Sequence, residues 1–230
     1  MIGIIGAMAV EVEEILEQME QEKAETFSGI TYHTGRISGR ECVVAQCGVG
    51  KVAAAVCAQT MILRYSPSAL INVGVAGGIG KEIHIGDIVV SSTLVQHDMD
   101  TSALGDPKGY ISGLGIVELP ADAPLAAAVR EAALSVYPEE KIHTGIIASG
   151  DQFISGAEKL NTIAEEFGAS ACEMEGGSIA QVCTMNKTGF VVIRSISDNA
   201  NDSAAVDFTQ FAAESAHLLT RLICAALPKL

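Results

Sequence analysis

Short apolar runs alternate with stretches of helical periodicity along most of this chain. Met1–Ala7 is an apolar run that predicts a strand, and within Glu11–Glu22 the residues Val12, Ile15, Leu16 and Met19 fall at helical spacing. Ile30–Ile37 and Glu41–Cys47 alternate in polarity and are separated by Ser38-Gly39-Arg40, which predicts a hairpin. Gly48-Val49-Gly50 then opens a helix over Lys51–Tyr65 that is apolar nearly all round. Such a helix needs cover on more than one side and points to a subunit interface. Further strands are expected over Ala69–Val75, Gly86–Gln96, Lys141–Ser149, Ala171–Met174 and Phe190–Ser197. Helices are expected over Pro124–Val136, Ala157–Phe167, Glu175–Met185 and Asp207–Leu227. The long Gly- and Pro-punctuated stretch His97–Pro120 predicts no regular element and reads as a lid or interface loop.

Buried strands alternating with helices predict an α/β sandwich around a largely parallel central sheet. In such sheets ligands bind at the carboxyl ends of the strands, so the strand exits are where chemistry is sought. No linker or low-complexity segment divides the chain, and a single domain over residues 1–230 is expected.

Composition narrows the partners. Lys and Arg number 14 against 28 Asp and Glu, a net charge of −14, while 49% of the residues are hydrophobic. That is ample material for a core, and the acidic surplus repels nucleic acid and anionic membrane surfaces. No apolar stretch reaches the roughly 18 residues of a membrane span, and the apolar start runs into Glu11, Glu13 and Glu14. Neither a signal peptide nor a membrane anchor is expected, which makes the cytoplasm the default. The six cysteines form no CxxC pair and read as buried thiols, not as a zinc site or a disulfide framework.

The strand exits carry several motif-like segments. Gly48-Val49-Gly50-Lys51-Val52-Ala53 fits G-x-G-x-x-A, but the ribose-binding acid expected about 20 residues on would fall in Leu70-Ile71-Asn72, where there is none. A P-loop is excluded because Gly80-Lys81 is followed by Glu82. Three acids stand at three strand exits: Glu11, Glu175 and Asp198. Taken singly, each also fits a structural role, as a first-turn helix carboxylate or a turn residue. If the strands are parallel, however, all three project over one sheet edge, a placement suited to acid/base work on a neutral or cationic substrate. Ser149-Gly150-Asp151-Gln152-Phe153-Ile154 adds an aromatic face and backbone groups able to bind a heterocycle. Met8 reads as an apolar wall, and His97-Asp98-Met99-Asp100 as a solvated loop.

The chain resembles the bacterial 5′-methylthioadenosine/S-adenosylhomocysteine nucleosidases of the nucleoside phosphorylase superfamily. The resemblance is carried by Gly3-Ile4-Ile5-Gly6-Ala7-Met8 with Glu11, by Gly48-Val49-Gly50-Lys51, Ala76-Gly77-Gly78 and Gly86-Asp87-Ile88-Val89, and by Ser149-Gly150-Asp151 with Phe153-Ile154. Glu173-Met174-Glu175 and Arg194-Ser195-Ile196-Ser197-Asp198 complete it. These blocks run in order from the first strand to the last helix. The resemblance implies a three-layer α/β/α fold with a mixed sheet, a homodimer, and irreversible hydrolysis of the adenine–ribose bond without metal or organic cofactor. It implies methylthioadenosine, adenosylhomocysteine and 5′-deoxyadenosine as substrates, and a place in methionine salvage and adenosylmethionine recycling.

By the same resemblance Glu11 is the base that orients water, Asp198 the acid that protonates adenine at N7, and Glu175 the carboxylate that holds the ribose hydroxyls above Met174. Phe153 stacks on adenine, Ile154 lends its backbone to the base edge, and Gly77 lines the base site. Met8, Val49 and Phe208 form the pocket for the 5′-alkylthio group. Leu104 falls where the partner subunit contributes an aromatic residue. Val75 replaces a serine and Asn201 an acidic residue of the family pattern. The first-strand loop Ala7–Glu14 carries three glutamates where related phosphorylases bear an arginine, which favours water over phosphate. Two other readings share the fold: a hydrolase of futalosine-type nucleosides and a non-catalytic nucleoside-binding module. A binder has no need of both base and acid.

Overall fold

Ile2–Gly6 (β1) is buried at every position, as a strand must be when both its faces are covered. It lies between two parallel neighbours, Arg40–Gln46 (β4) and Ala69–Gly78 (β5). The computed structural model describes residues 1–198 and 204–230, with the backbone alone for 157 and 204–210. Among these residues, the sheet continues outward from β4 through Ile30–Ile37 (β3) to Glu20–Phe27 (β2), both antiparallel. On its other side β5 pairs in parallel with Gly189–Asp198 (β10), which runs antiparallel to Ile88–Gln96 (β6). Strand β6 pairs with a two-residue strand, Leu119–Pro120 (β7), and in parallel with Ile142–Ser149 (β8). Finally β8 pairs in parallel with Ala169–Glu173 (β9), and β9 returns antiparallel to β5. The sheet is therefore mixed, and five of its strands close into a ring around the end of β5.

Helices cover both faces. Lys51–Tyr65 (α2) and Gly176–Asn186 (α5) bury Ala54, Cys57, Ala58, Met61, Ile179, Ala180 and Cys183 on one side. Ala9–Glu17 (α1), Ala123–Ala133 (α3) and Ala204–Ala226 (α6) bury Val12, Ile15, Leu125, Val129, Leu219, Leu222 and Ile223 on the other. Each Val, Leu, Ile or Met among them, fully buried, contributes about 1.5–3 kcal/mol relative to exposure. Ala157–Phe167 (α4) closes a third, smaller cluster around Ile163 and Ala169.

The structure departs from the sequence reading in four places. The first helix ends at Glu17, and the residues up to Phe27 form β2 instead of a further helical turn. Met19 mimicked helical spacing, but it packs on the α1-side core from the connecting turn. Strand β2 escaped notice because it is an exposed edge with both faces wet, so it carries no apolar alternation. Its glutamates and Lys23 blunt that edge. Within 97–120 there is local order: a 3-10 turn at Ser102–Leu104, a bridge between Ile111 and Ile116, and β7. His97-Asp98 is not a solvated loop, since Asp98 forms an ion pair with Lys51. Lastly β9 runs antiparallel to β5, so the three acids do not leave three parallel strands. Ring closure brings the exit of β9 round to the same edge. No helix among the described residues is long and apolar enough to cross a membrane.

Candidate active site

Glu11 sits in the first turn of α1 because its own side chain helps to start the helix. One carboxylate oxygen, Oε2, accepts the N–H groups of Ala7 at 2.7 Å and Met8 at 3.0 Å, which the helix leaves without internal partners. The other, Oε1, accepts the N–H of Val75 on β5 at 3.0 Å. A Cβ on Gly74 would lie 2.6 Å from that Oε1, so only glycine lets the carboxylate approach β5 this closely. Burial pushes the Glu11 carboxyl above the ordinary glutamate range, against the opposing pull of Arg194 and of the three N–H groups.

Asp198 ends β10. Register between β5 and β10 shifts there, with Ile196 opposite Ala76 and Asp198 opposite Gly77. Successive residues of a regular strand point to opposite faces, yet Ser197 and Asp198 both line the same cavity. The bulge makes this possible by re-aiming one residue. The Ser197 hydroxyl lies 3.0 Å from Asp198 Oδ2, positioned to donate to it.

Glu175 leads into α5 and is buried. Its Oε1 accepts the N–H of Gly50, across the site, at 2.8 Å. Burial, together with the neighbouring charge of Glu173, pushes its carboxyl up to about 7, while Arg194 pulls the other way. Glu173 itself ion-pairs with Arg194 and accepts the Ser149 hydroxyl and the N–H groups of Glu175 at 3.0 Å and Gly176 at 2.7 Å. Burial opposes its ionisation, but Arg194 and these donors outweigh it and hold Glu173 below the usual range. Behind them Arg194 donates to Asn72 Oδ1 at 2.5 Å, and the Asn72 amide donates to Ile5 O at 2.8 Å. This fully buried chain ties β10, β9, β5 and β1 together beneath the site.

A cavity of about 620 Å³ opens above these groups. Met8, Glu11, Val49, Val75, Gly77, Phe153, Met174, Glu175 and Asp198 line it, and so do Glu173, Cys172 and Ser197. Ile154 lines an adjoining space of about 250 Å³ together with Gly77, Phe153 and Met174. Among the described residues, the lining of the larger cavity contains four carboxylates and no cationic side chain. One expected site residue, Leu104, is not brought there. The side chain of Phe208, like Asn201, lies outside the described residues, and Leu104 stands 83% exposed on its 3-10 turn and lines neither cavity.

Sequence reasoning quoted Glu173 and Arg194 only as parts of motifs and missed their role. The signal was a charged residue at the end of ASACE and another amid GFVVIRSISD, each of which can be buried only if paired. Among the described residues no group of three or more His, Cys, Asp or Glu side chains is arranged to hold a metal.

Chemically, the arrangement gathers buried carboxylates on one cavity, groups able to exchange protons and to accept hydroxyl hydrogen bonds. The model of the phosphorylase superfamily matches residues 1–228. A 5′-methylthioadenosine/S-adenosylhomocysteine nucleosidase of Shewanella pealeana is 41% identical over 230 residues, covering 100% of this chain and 99% of its own. The corresponding nucleosidase of Neisseria meningitidis, solved with methylthio-immucillin-A, superposes with a TM-score of 0.96 at 33% identity, covering 100% of this chain and 99% of that one. A futalosine hydrolase mutant of Helicobacter pylori superposes with a TM-score of 0.94 at 35% identity, again over 100% of this chain and 99% of that one. The chain belongs to the phosphorylase superfamily and, within it, to the 5′-methylthioadenosine/S-adenosylhomocysteine nucleosidases.

Proposed function

We propose that the chain hydrolyses the N-glycosidic bond of 5′-methylthioadenosine and S-adenosylhomocysteine with Glu11 as base and Asp198 as acid. Glu11 takes a proton from water, whose oxygen attacks the anomeric carbon. The C–N bonding pair departs with adenine, and Asp198 delivers a proton to N7 so that the base leaves neutral. The transition state resembles an oxocarbenium ion, and the surrounding carboxylates stabilise its positive charge. Glu175 accepts the ribose hydroxyls, Met174 packs under the sugar, Phe153 stacks on adenine, and Ile154 and Gly77 border the base. Met8 and Val49 offer an apolar wall to the thioether.

The observation that carries this reading is the convergence of Glu11, Glu175 and Asp198 on one cavity whose lining has no cation. A phosphate would be repelled there, which favours water as the nucleophile. A futalosine-type substrate would use the same base-side groups, and the Helicobacter pylori likeness keeps that reading in play. The apolar wall of Met8 and Val49 favours the thioether over a bulky polar 5′-group.

The test is free-base release from methylthioadenosine, adenosylhomocysteine, inosine and an aminofutalosine, each with and without phosphate. Adenine from the two thioethers at a phosphate-independent rate is expected. A requirement for phosphate, or preference for the aminofutalosine, would overturn the assignment, and no released base would leave only a binding role.

We further infer that the chain is a single domain that works as a homodimer. Val52 and Leu63 on α2 are 76% and 70% exposed, and Val56 on α2 and Met185 on α5 are exposed too. A second copy would cover this apolar surface, and by the family resemblance it would lend its Leu104 region to the neighbouring site.

A further inference from the structure

Helix α2 begins without a side-chain cap of its own. Its N-cap is Gly50, at φ 97° and ψ 161°, a backbone region that favours glycine. The N–H groups of its start are satisfied from far along the chain. Gly50 N donates to Glu175, 125 residues away, and Lys51 N donates to Asp151 Oδ1 at 2.7 Å, 100 residues away. A second set of contacts closes a loop around this joint. Lys51 Nζ donates to Asp98 Oδ1 at 2.7 Å, and Asp98 Oδ2 accepts the N–H of Asp151 at 2.9 Å. The start of α2, the segment after β6 and the segment after β8 are thus fastened to one another. Val49 and Phe153, which both line the cavity, flank the joint in sequence.

We propose that Asp151, which touches no reacting atom, is a positioning residue for ribose recognition: by capping the start of α2 it fixes the Gly50 N–H that keeps Glu175 aimed into the cavity. A carboxylate at a helix start both accepts an otherwise unpartnered N–H and favours the positive end of the helix dipole. With Oε1 of Glu175 held by Gly50, its second oxygen stays free for the sugar. Without the cap the first turn of α2 frays, the Gly50 N–H moves, and Glu175 samples positions that no longer meet the hydroxyls. The claim rests on the hydrolytic reading for its substrate, but not for its structural half.

The test compares the full chain with Asp151→Ala and Asp151→Asn. Side-chain replacement leaves the Asp151 N–H free to keep its bond to Asp98, so the Phe153 segment retains that tie and capping is tested separately. Asp151→Ala is expected to raise KM for methylthioadenosine about five- to tenfold with kcat within about twofold. Asp151→Asn, which keeps an acceptor for the Lys51 N–H, restores most of the loss. Inhibition by free adenine, which has no ribose, stays the same in all three proteins. On a Glu175→Ala background the Asp151→Ala penalty disappears, because the route through Glu175 is already gone. Amide exchange over 48–54 accelerates in Asp151→Ala, a readout that needs no turnover. If the unaltered chain releases no adenine, the hydrolytic reading fails and exchange alone decides the positioning claim. Parallel loss of adenine inhibition, full additivity with Glu175→Ala, or unchanged exchange over 48–54 would each overturn it.

Discussion

At the floor of the cavity Glu11 accepts three backbone N–H groups, and Glu173 is gripped by Arg194, Ser149 and two further N–H groups, all out of water. At the rim, Val49 and Phe153 stand 57% and 50% exposed. The floor is organised before any ligand arrives, so its electrostatics cost little reorganisation during reaction. The rim is apolar surface waiting to be covered, and its contribution comes only on binding. On the proposed mechanism, acid/base chemistry and substrate selection fall in parts of the same cavity that differ in exposure.

The sharpest way to break this contrast is to cut the floor. Arg194→Met leaves Glu173 buried without its counter-charge, and a loss of about 3–5 kcal/mol in unfolding free energy is expected by chemical denaturation. Glu11→Gln and Asp198→Asn keep the shape of the site and should each lower kcat by about 10²-fold or more, measured as adenine release. Near-normal turnover would remove the affected residue from its role.

Glu175 gives a pH test of the same region. Its carboxyl is raised from 4.5 to about 7 in the folded chain, so the unfolded chain releases its proton first. The stability linked to this proton is fully present below pH 4.5 and is lost as pH rises through about 7. Glu175→Gln removes the linkage. Its melting temperature should gain on that of the unaltered chain between pH 5 and pH 8, and a constant difference would refute the shift. The smallest effect belongs to the outer surface: Leu63→Glu should convert the proposed dimer into monomers by sedimentation, raise KM about threefold, and leave the pH profile of kcat unchanged. Retention of the dimer would move the interface elsewhere.

The sequence announces buried structure well and wet structure poorly. Lys51–Tyr65 and Ala157–Phe167 were legible to the residue, the first as a long apolar run opened by Gly48-Val49-Gly50, the second by its helical periodicity. Strand β2 was not, because an edge with two polar faces leaves no periodic trace. Glu11, Glu175 and Asp198 could be singled out by their place at strand exits, yet the reason they meet was misjudged. It takes a closed ring, an antiparallel β9 and a bulge at Ser197, and those depend on pairings more than 90 residues apart. The Arg194–Glu173–Asn72 chain was equally hidden, since its partners lie on three separate strands. Asp98 looked like solvated loop because nothing near it in sequence reveals Lys51, 47 residues away.

The closed ring also bears on how the molecule forms. Strand β10 is the last strand of the described chain, and its register with β5 joins Gly189 to Ala69 and Asp198 to Gly77. Contacts of such long sequence separation form slowly, because much chain must be ordered before they stabilise anything. Asp198 ends that strand, so a refolding chain sets its proposed acid in place only when the ring shuts. Recovery of adenine release then serves as a clock for the final docking event, and it should lag behind the return of helical signal from the earlier, more local elements.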